Sequence, residues 1–597
     1  MNTTADKYLM LLSKFGDKTE KGSTIPVSTD ELALLWFCST RNAKIIIHKL
    51  VEEGLIDWQS GRGRGNVSRL TFLAEKEPLL MEWAQQMARK GDYKQAFELL
   101  QANSEGTAVT DRFVHWLNEH FGYQTEKLSD YDCSDTLRFP VFCPIVTTDP
   151  SCVYNAFDAH IIRQVFDRLV EYDVTTGNIL PSLAHSWDSN ENATEWTFHL
   201  RKGVRFHHGR ELQPEDIRYT LERMRGIKPN SWQVRTLKEV QCVGPRTVRI
   251  VLSQPNHIFL RYVGSASMSI VPYELVQTDE MTFWQKPVGT GPFRLGLWTE
   301  DRCELIAYQD YYQGRAHLDR VVIAFMPEET AKLSLNAPWQ QMVSNQAQMD
   351  LSEEAPWKTL EDLCRGCTMI TWNMRKEGPQ QSYGFRRAFE LLINRKELIR
   401  QLGDDRMYPA RSFKPTENTP YLEEETDSEE AIRLLREVGY QGEELIICTY
   451  GKHIPDAYWI EHRCAQFGIQ VKVRAETHLS VRSPDLLSNV DCLLYGVVFA
   501  LDEVCEIENY EQDGNFLKEN LQPEMHEWIM EQIDTALASN NSKFRRTILN
   551  GIEDRLREEA HVLFLLHRKL NTYVHPTVKG VGLNSLGWMD FKDIWLD

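Results

Sequence analysis

The chain has 597 residues, 42% apolar, 26% charged and 10% aromatic. That composition excludes a disordered chain and that length exceeds one core, so at least two domains are expected. A net charge of −19 excludes a surface that wraps nucleic acid throughout. The charge is uneven: Met1 to Leu73 holds ten Lys/Arg against eight Asp/Glu, or +2, which leaves −21 for the rest. A neutral-to-basic head on an acidic body suits a local contact with DNA.

In the head, Tyr8 to Phe15 predicts a short first helix. Ser28 is an N-cap and Glu31 completes a capping box, with Leu32, Leu35 and Trp36 following at helical spacing. Ser39 or Thr40 caps a third helix that runs to about Glu53 and stops at Gly54. Ala43, Ile46, Ile47, Leu50 and Val51 make its apolar stripe, while Arg41, Asn42, Lys44 and His48 face the other way. Such a face is what a helix needs to read a major groove. Ile45 falls near that outward face. A strand at Leu55–Gln59, the cationic turn Gly61-Arg62-Gly63-Arg64-Gly65-Asn66 and a return strand at Ser68–Phe72 predict a hairpin wing. The head (1–73) therefore reads as an α+β winged helix-turn-helix, with Ser39, Thr40, Arg41, Asn42, Lys44, His48, Arg62, Arg64, Ser68 and Arg69 toward double-stranded DNA.

Residues 74–135 predict a helical linker, with helices at Pro78–Arg89, Asp92–Leu100 and Asp111–Phe121. From residue 136 onward, strand and helix segments alternate, which implies two α/β lobes able to close on a ligand. Trp196, Phe198 and Leu200 alternate as a half-buried strand, and His207-His208-Gly209 forms a tight turn before a capped helix.

The ordered set Asp167–Asp173, Pro181–Trp187, Glu195–Gly209, Gly289-Thr290-Gly291-Pro292-Phe293 and Tyr311–Asp319 resembles the family 5 bacterial solute-binding proteins. With the head included, the chain resembles the SgrR-type regulators, through Ser28–Ala33, Thr40-Arg41-Asn42, Trp58, Arg62–Gly65 and Leu586–Phe591. The resemblance implies a multidomain protein: the winged head, the helical linker, and a two-lobed α/β body like the class II periplasmic binding proteins. It implies a body over 136–597, with lobe I at about 136–370 and 566–597 and lobe II at about 371–565. It also implies a transcriptional regulator that responds to a small metabolite, in that group linked to sugar-phosphate stress.

In peptide-binding members a Gly-Trp-x-x-Asp segment supplies an acid for the peptide ammonium. Here the stretch reads Gly496-Val497-Val498-Phe499-Ala500, with Asp502 and Glu503 just beyond, so neither the Trp nor the Asp of that motif stands at its place and only a shifted Asp502 could serve a peptide ammonium. By family position, Tyr154, Asn155, Trp372, Asn373, Tyr495 and Asp502 are expected around a sugar or another polar small-molecule effector.

Cys364-x-x-Cys367 lacks a second ligand pair, and no catalytic motif is present, so neither a metal, a cofactor nor an enzyme is expected. No secretory segment is read at the N-terminus, and the longest apolar run, Leu493–Leu501, is far short of the ~20 residues that span a bilayer. A cytoplasmic location with reduced thiols and no membrane contact follows as the expectation. One head makes few phosphate contacts, so a homodimer or paired sites are expected to supply affinity. The alternatives are a cytoplasmic solute- or peptide-binding protein whose head binds another protein, and an enzyme in the cleft.

Overall fold

The computed structural model describes residues 3–15, 20–61, 67–103, 108–129, 133–141, 144–174, 176–326, 358–363, 366–416, 418–422, 426–477, 480–498, 502–574, 578–580 and 590–596. Arg62 and Arg64, Cys364, and the Phe499-Ala500 end of the lobe II segment lie outside them.

The head holds helix α1 (Thr3–Phe15), strand β1 (Thr24–Pro26), helices α2 (Thr29–Leu35) and α3 (Thr40–Glu52), and strands β2 (Ile56–Gln59) and β3 (Arg69–Phe72). Helix α1 starts at Thr3, ahead of the Tyr8 start that the sequence predicts, and β1 carries no signal in the sequence. Residues Thr24–Pro26 are too short to show alternation, and they become a strand only by pairing with β3. The order is β1-β3-β2, all antiparallel. Ser28 Oγ accepts from Glu31 N at 3.1 Å and Glu31 Oε2 accepts from Ser28 N at 3.3 Å, the reciprocal capping box. Trp36 is buried, and its Nε1 donates to Lys7 O at 2.9 Å while Lys7 Nζ donates to Trp36 O at 3.1 Å. This exchange ties α1 to the end of α2.

Helices α4 (Lys76–Lys90), α5 (Tyr93–Asn103) and α6 (Ala108–His120) follow. Trp83 of α4 packs on the head core, where its ring meets Tyr8 at 6.4 Å, and also on the bridge core. The bridge core includes Ala324 and Met326 of the body. Strand β4 (Gly122–Lys127) then pairs antiparallel with β5 (Cys133–Val141).

In lobe I, β4 is the edge of a five-stranded sheet ordered Phe293–Trp298, Arg302–Ala307, Arg320–Phe325, β5, β4. A separate four-stranded antiparallel sheet holds Glu195–Leu200, on which Trp196, Phe198 and Leu200 point inward. Lobe II is a seven-stranded sheet that runs from Lys358–Leu363 through Val562–Val574, Gly366–Trp372, Cys492–Val498 and Leu445–Tyr450 to Val471–Glu476, with Arg406–Pro409 beside it, so its strands extend beyond the expected 371–565 at both ends because pairing carries them into the sheet. The chain ends back in lobe I, where the Phe591 ring lies 5.6 Å from Phe139 and 4.7 Å from His160.

The Gly289–Pro292 motif is explained by close approach. A Cβ on Gly289 would sit 1.9 Å from Val165 O, and one on Gly291 2.6 Å from Gln164 O. Thr290 Oγ1 and Tyr311 Oη both donate to buried Asp167, at 3.1 Å each. Burial, offset in part by Arg168, keeps the Asp167 carboxyl above its usual range. Gly289→Ala forces backbone to move, and is expected to destabilise lobe I by about 1–3 kcal/mol, read as a lower urea midpoint by circular dichroism.

Candidate functional site

Two surfaces carry the residues expected to work. On the head, Ser39 caps α3 by accepting from Asn42 N at 3.3 Å. Ala43, Ile47 and Leu50 are buried, which turns Arg41, Asn42, Lys44, Ile45 and His48 to solvent along one face. Thr40 is exposed at its start, and His48 Nδ1 sits 3.2 Å from Glu52. Arg69 is exposed on β3, while Ser68 Oγ accepts from Gly61 N at 3.2 Å and closes the base of the wing. Sequence reading missed two neighbours. Leu34 is 77% and Phe37 89% exposed, and Phe37 adopts φ +52° in the turn between α2 and α3.

The second surface is a cavity of about 290 Å³ between the lobes. Lobe I contributes Tyr154 and Asn155 from the entry to helix α7 (Ala156–Val165), together with Arg163, Tyr172 and Arg261. Asn155 caps α7, its Oδ1 accepting from Asp158 N at 2.7 Å. The turn before it is pinned from below: Asn230 Nδ2 donates to Ser151 O at 3.1 Å and Val153 O at 2.6 Å. Lobe II contributes Tyr450, Arg482, Tyr495 and Phe516, with one face of the helix Glu503–Glu511.

That cavity helix explains most of the wall. Asp502 caps it by accepting from Val504 N at 3.1 Å, and Cys505, Glu508, Asn509 and Gln512 then recur toward the cavity at helical spacing. Its ends meet lobe I. Arg261 Nη1 lies 3.5 Å from Asp502 and 3.1 Å from Glu503, and Arg235 Nε lies 2.6 Å from Glu511, which is 1% exposed in its side chain. Gln512 Nε2 donates to Asn230 Oδ1 at 2.9 Å, joining the helix to the turn that carries Tyr154. Burial raises the carboxyls of Asp502 and Glu511, against the lowering effect of their arginines. Burial also pushes Glu508 up to about 7, with the charge of Asp502 adding to it. The Arg482 guanidinium lies 4.5 Å from the Tyr154 ring centroid and 5.0 Å from that of Phe516.

Of the six expected ligand residues, Tyr154, Asn155, Tyr495 and Asp502 line this cavity. Asn373 lines an adjoining cavity of about 620 Å³, where its Nδ2 is committed to Leu487 O and Val490 O, both at 3.0 Å. Trp372 does not reach either one. It is 1% exposed and packs on Phe385 and Phe389, because the alternation of its strand turns it into the lobe II core. Arg482, Phe516, Glu508 and Arg261 went unread. The spacing of Asp502, Cys505, Glu508 and Gln512 carried a signal for the helix face, whereas nothing local marks Arg482 or Phe516. Among the described residues no cluster of metal-ligating side chains occurs, and no helix is long and apolar enough to cross a membrane.

The sequence model of the bacterial extracellular solute-binding proteins, family 5 (Middle), matches residues 178–489. That of the sugar transport-related sRNA regulator N-terminal domain matches residues 4–127, which spans the head, the three bridge helices and β4. The Bacillus subtilis (strain 168) protein YhjP is 29% identical over 590 residues, 97% of each chain. The HTH-type transcriptional regulator SgrR of Yersinia pseudotuberculosis is 24% identical over 583 residues, 96% of each. Among solved structures, the oligopeptide-binding protein AppA of Bacillus subtilis with a nonapeptide superposes with TM-score 0.66 at 18% identity, over 77% of this chain and 99% of that one. The binding protein AgaA from A. tumefaciens with agropinic acid gives TM-score 0.65 at 21% identity, over 77% and 99%.

Arg235→Ala leaves Glu511 buried without its cation. The expected cost is about 3–5 kcal/mol, and small-angle X-ray scattering should show a larger radius of gyration as the lobes part, with Arg235→Lys in between.

Proposed function

The chain belongs to the family 5 bacterial solute-binding proteins, and from that premise we propose that it is a DNA-binding transcriptional regulator that senses a small polar solute between its lobes. One observation carries the reading. An exposed Arg41-Asn42-Lys44-His48 face on a capped helix sits on a head whose packing runs through Trp83 and the bridge core into lobe I. The match of the regulator N-terminal domain and the full-length relatives called transcriptional regulators support it. The family and the regulator relatives point to a non-enzymatic protein.

In this mechanism α3 enters the major groove, Arg41 and Lys44 supply charge, and Asn42 or His48 reads base edges. The wing residues Arg62 and Arg64 add phosphate or minor-groove contacts, with Arg69 and Ser68 at its base. Solute closes lobe II on lobe I, and closure changes the head's orientation or its pairing with a second copy. DNA as a partner assigns the protein to the cytoplasm. Exposed Leu34 and Phe37 favour a second reading, in which the head docks a protein.

The test is fluorescence anisotropy of the full chain on duplexes tiling its own upstream region at two salt concentrations. One tile is expected to bind tightly and to weaken with salt. Arg41→Ala/Lys44→Ala should cost about tenfold or more and flatten the salt dependence by about two contacts, with Arg62→Ala/Arg64→Ala acting in the same direction. Equal binding of all tiles, unchanged in both variants, sinks DNA reading by this head and moves weight to protein docking.

A further inference from the structure

Most charges around the cavity are neutralised within the protein. Arg163 bonds Glu171, and Arg261 bridges Asp502 and Glu503 at 3.5 and 3.1 Å. Asp502 is further occupied as the cap of the cavity helix. In the adjoining cavity Lys228 pairs with Asp513 at 3.1 Å, Lys376 with Asp491 at 2.7 Å and Arg375 with Glu519 at 3.3 Å.

Among the described residues two groups of opposite sign remain. The Arg482 guanidinium lies over the Tyr154 and Phe516 rings, makes no ion pair among the described residues, and has a buried Nε without an acceptor. Glu508 accepts from one neutral donor, Gln512 Nε2 at 2.7 Å, and no cation pairs with it among the described residues. Both line the same cavity. Both residues are half-buried; a partly desolvated charge without a counter-charge is unfavourable, and a bound molecule with the complementary poles relieves both at once.

We propose that the sensed solute is a small zwitterion of amino-acid size, its anionic group held by Arg482 and its ammonium by Glu508. The assignment rests on the solute-sensing reading above. The planar guanidinium suits a carboxylate. Tyr154 and Phe516, already stacked on that guanidinium, leave apolar surface for the body of the molecule. A neutral sugar satisfies neither pole. A sugar phosphate brings close to two negative charges into a cavity whose described lining has one cation without an ion pair and also holds the acid Glu508. The volume of about 290 Å³ sits at the lower end of small-molecule sites.

Isothermal titration of the full chain with each protein amino acid, glucose and glucose 6-phosphate tests this. At least one amino acid should bind at least about tenfold tighter than either sugar. The best binder is then compared with its analogues lacking the ammonium or the carboxylate. Glu508→Gln should weaken the amino acid about tenfold and leave the ammonium-free analogue unchanged, and Arg482→Gln should do the mirror image with the carboxylate-free one. A merely structural role would weaken every compound alike, and that result overturns the assignment. So does the absence of any amino-acid binding, or tighter binding of glucose or glucose 6-phosphate. Sugar binding would leave the regulator reading standing. Failure of that reading shows instead in the anisotropy assay, whatever the cavity holds.

Discussion

The helix Glu503–Glu511 of lobe II is pinned to lobe I by ion pairs at both of its ends, and the geometry between the lobes depends on those two contacts. Glu511 is almost sealed from water and meets Arg235, while Asp502 and Glu503 meet Arg261 at the other end of the same helix. Two anchors fix both the position and the rotation of a rod. Once they are made, Cys505, Glu508, Asn509 and Gln512 have no choice but to face the cavity. The ion pairs thus add little net stability of their own but determine which side chains a solute would meet. The Gln512–Asn230 bond extends this control to the turn that presents Tyr154.

The head is joined to this arrangement by packing rather than by a loose tether. Helix α4 serves two cores: Leu79 and Trp83 pack against the head, while Leu80, Ala84 and Ala88 enter the bridge core with Tyr93, Phe97 and Phe113. That bridge core in turn closes over Ala324 and Met326 of lobe I. Rigid contact of this kind is a prerequisite for a closure event in the body to be felt at α3, since a flexible linker would average it away.

Local chemistry is where the sequence was most legible. The Ser28/Glu31 box, most of the α3 stripe and the Trp196–Leu200 alternation each depend on residues within a few positions and could be read along the chain, although Val51, expected in the stripe, is 40% exposed; the Gly289–Pro292 stretch was legible only as a motif, since its close approach is to the distant Val165. Pairing across distance was not. Strand β1 exists because β3 lies beside it, and the cavity face of Arg482 exists because Tyr154 and Phe516, far away in sequence, close over it. Trp372 shows the opposite failure. Family position put it at the cleft, yet one step of strand alternation separates a cleft residue from a core residue, and only Asn373 falls on the outer side.

Strand β4 closes the five-stranded sheet on the side where the bridge arrives, pairing with β5 from Gly122–Arg138 to Lys127–Cys133. The regulatory half therefore ends inside the solute-binding half, not before it. A body separated at residue 128 would keep every cavity residue but lose the outer strand of its lobe I sheet, leaving β5 as the edge in place of β4. The regulator-type N-terminal region and the body are in that sense not separable modules: the last strand of the one is the edge strand of the other's sheet.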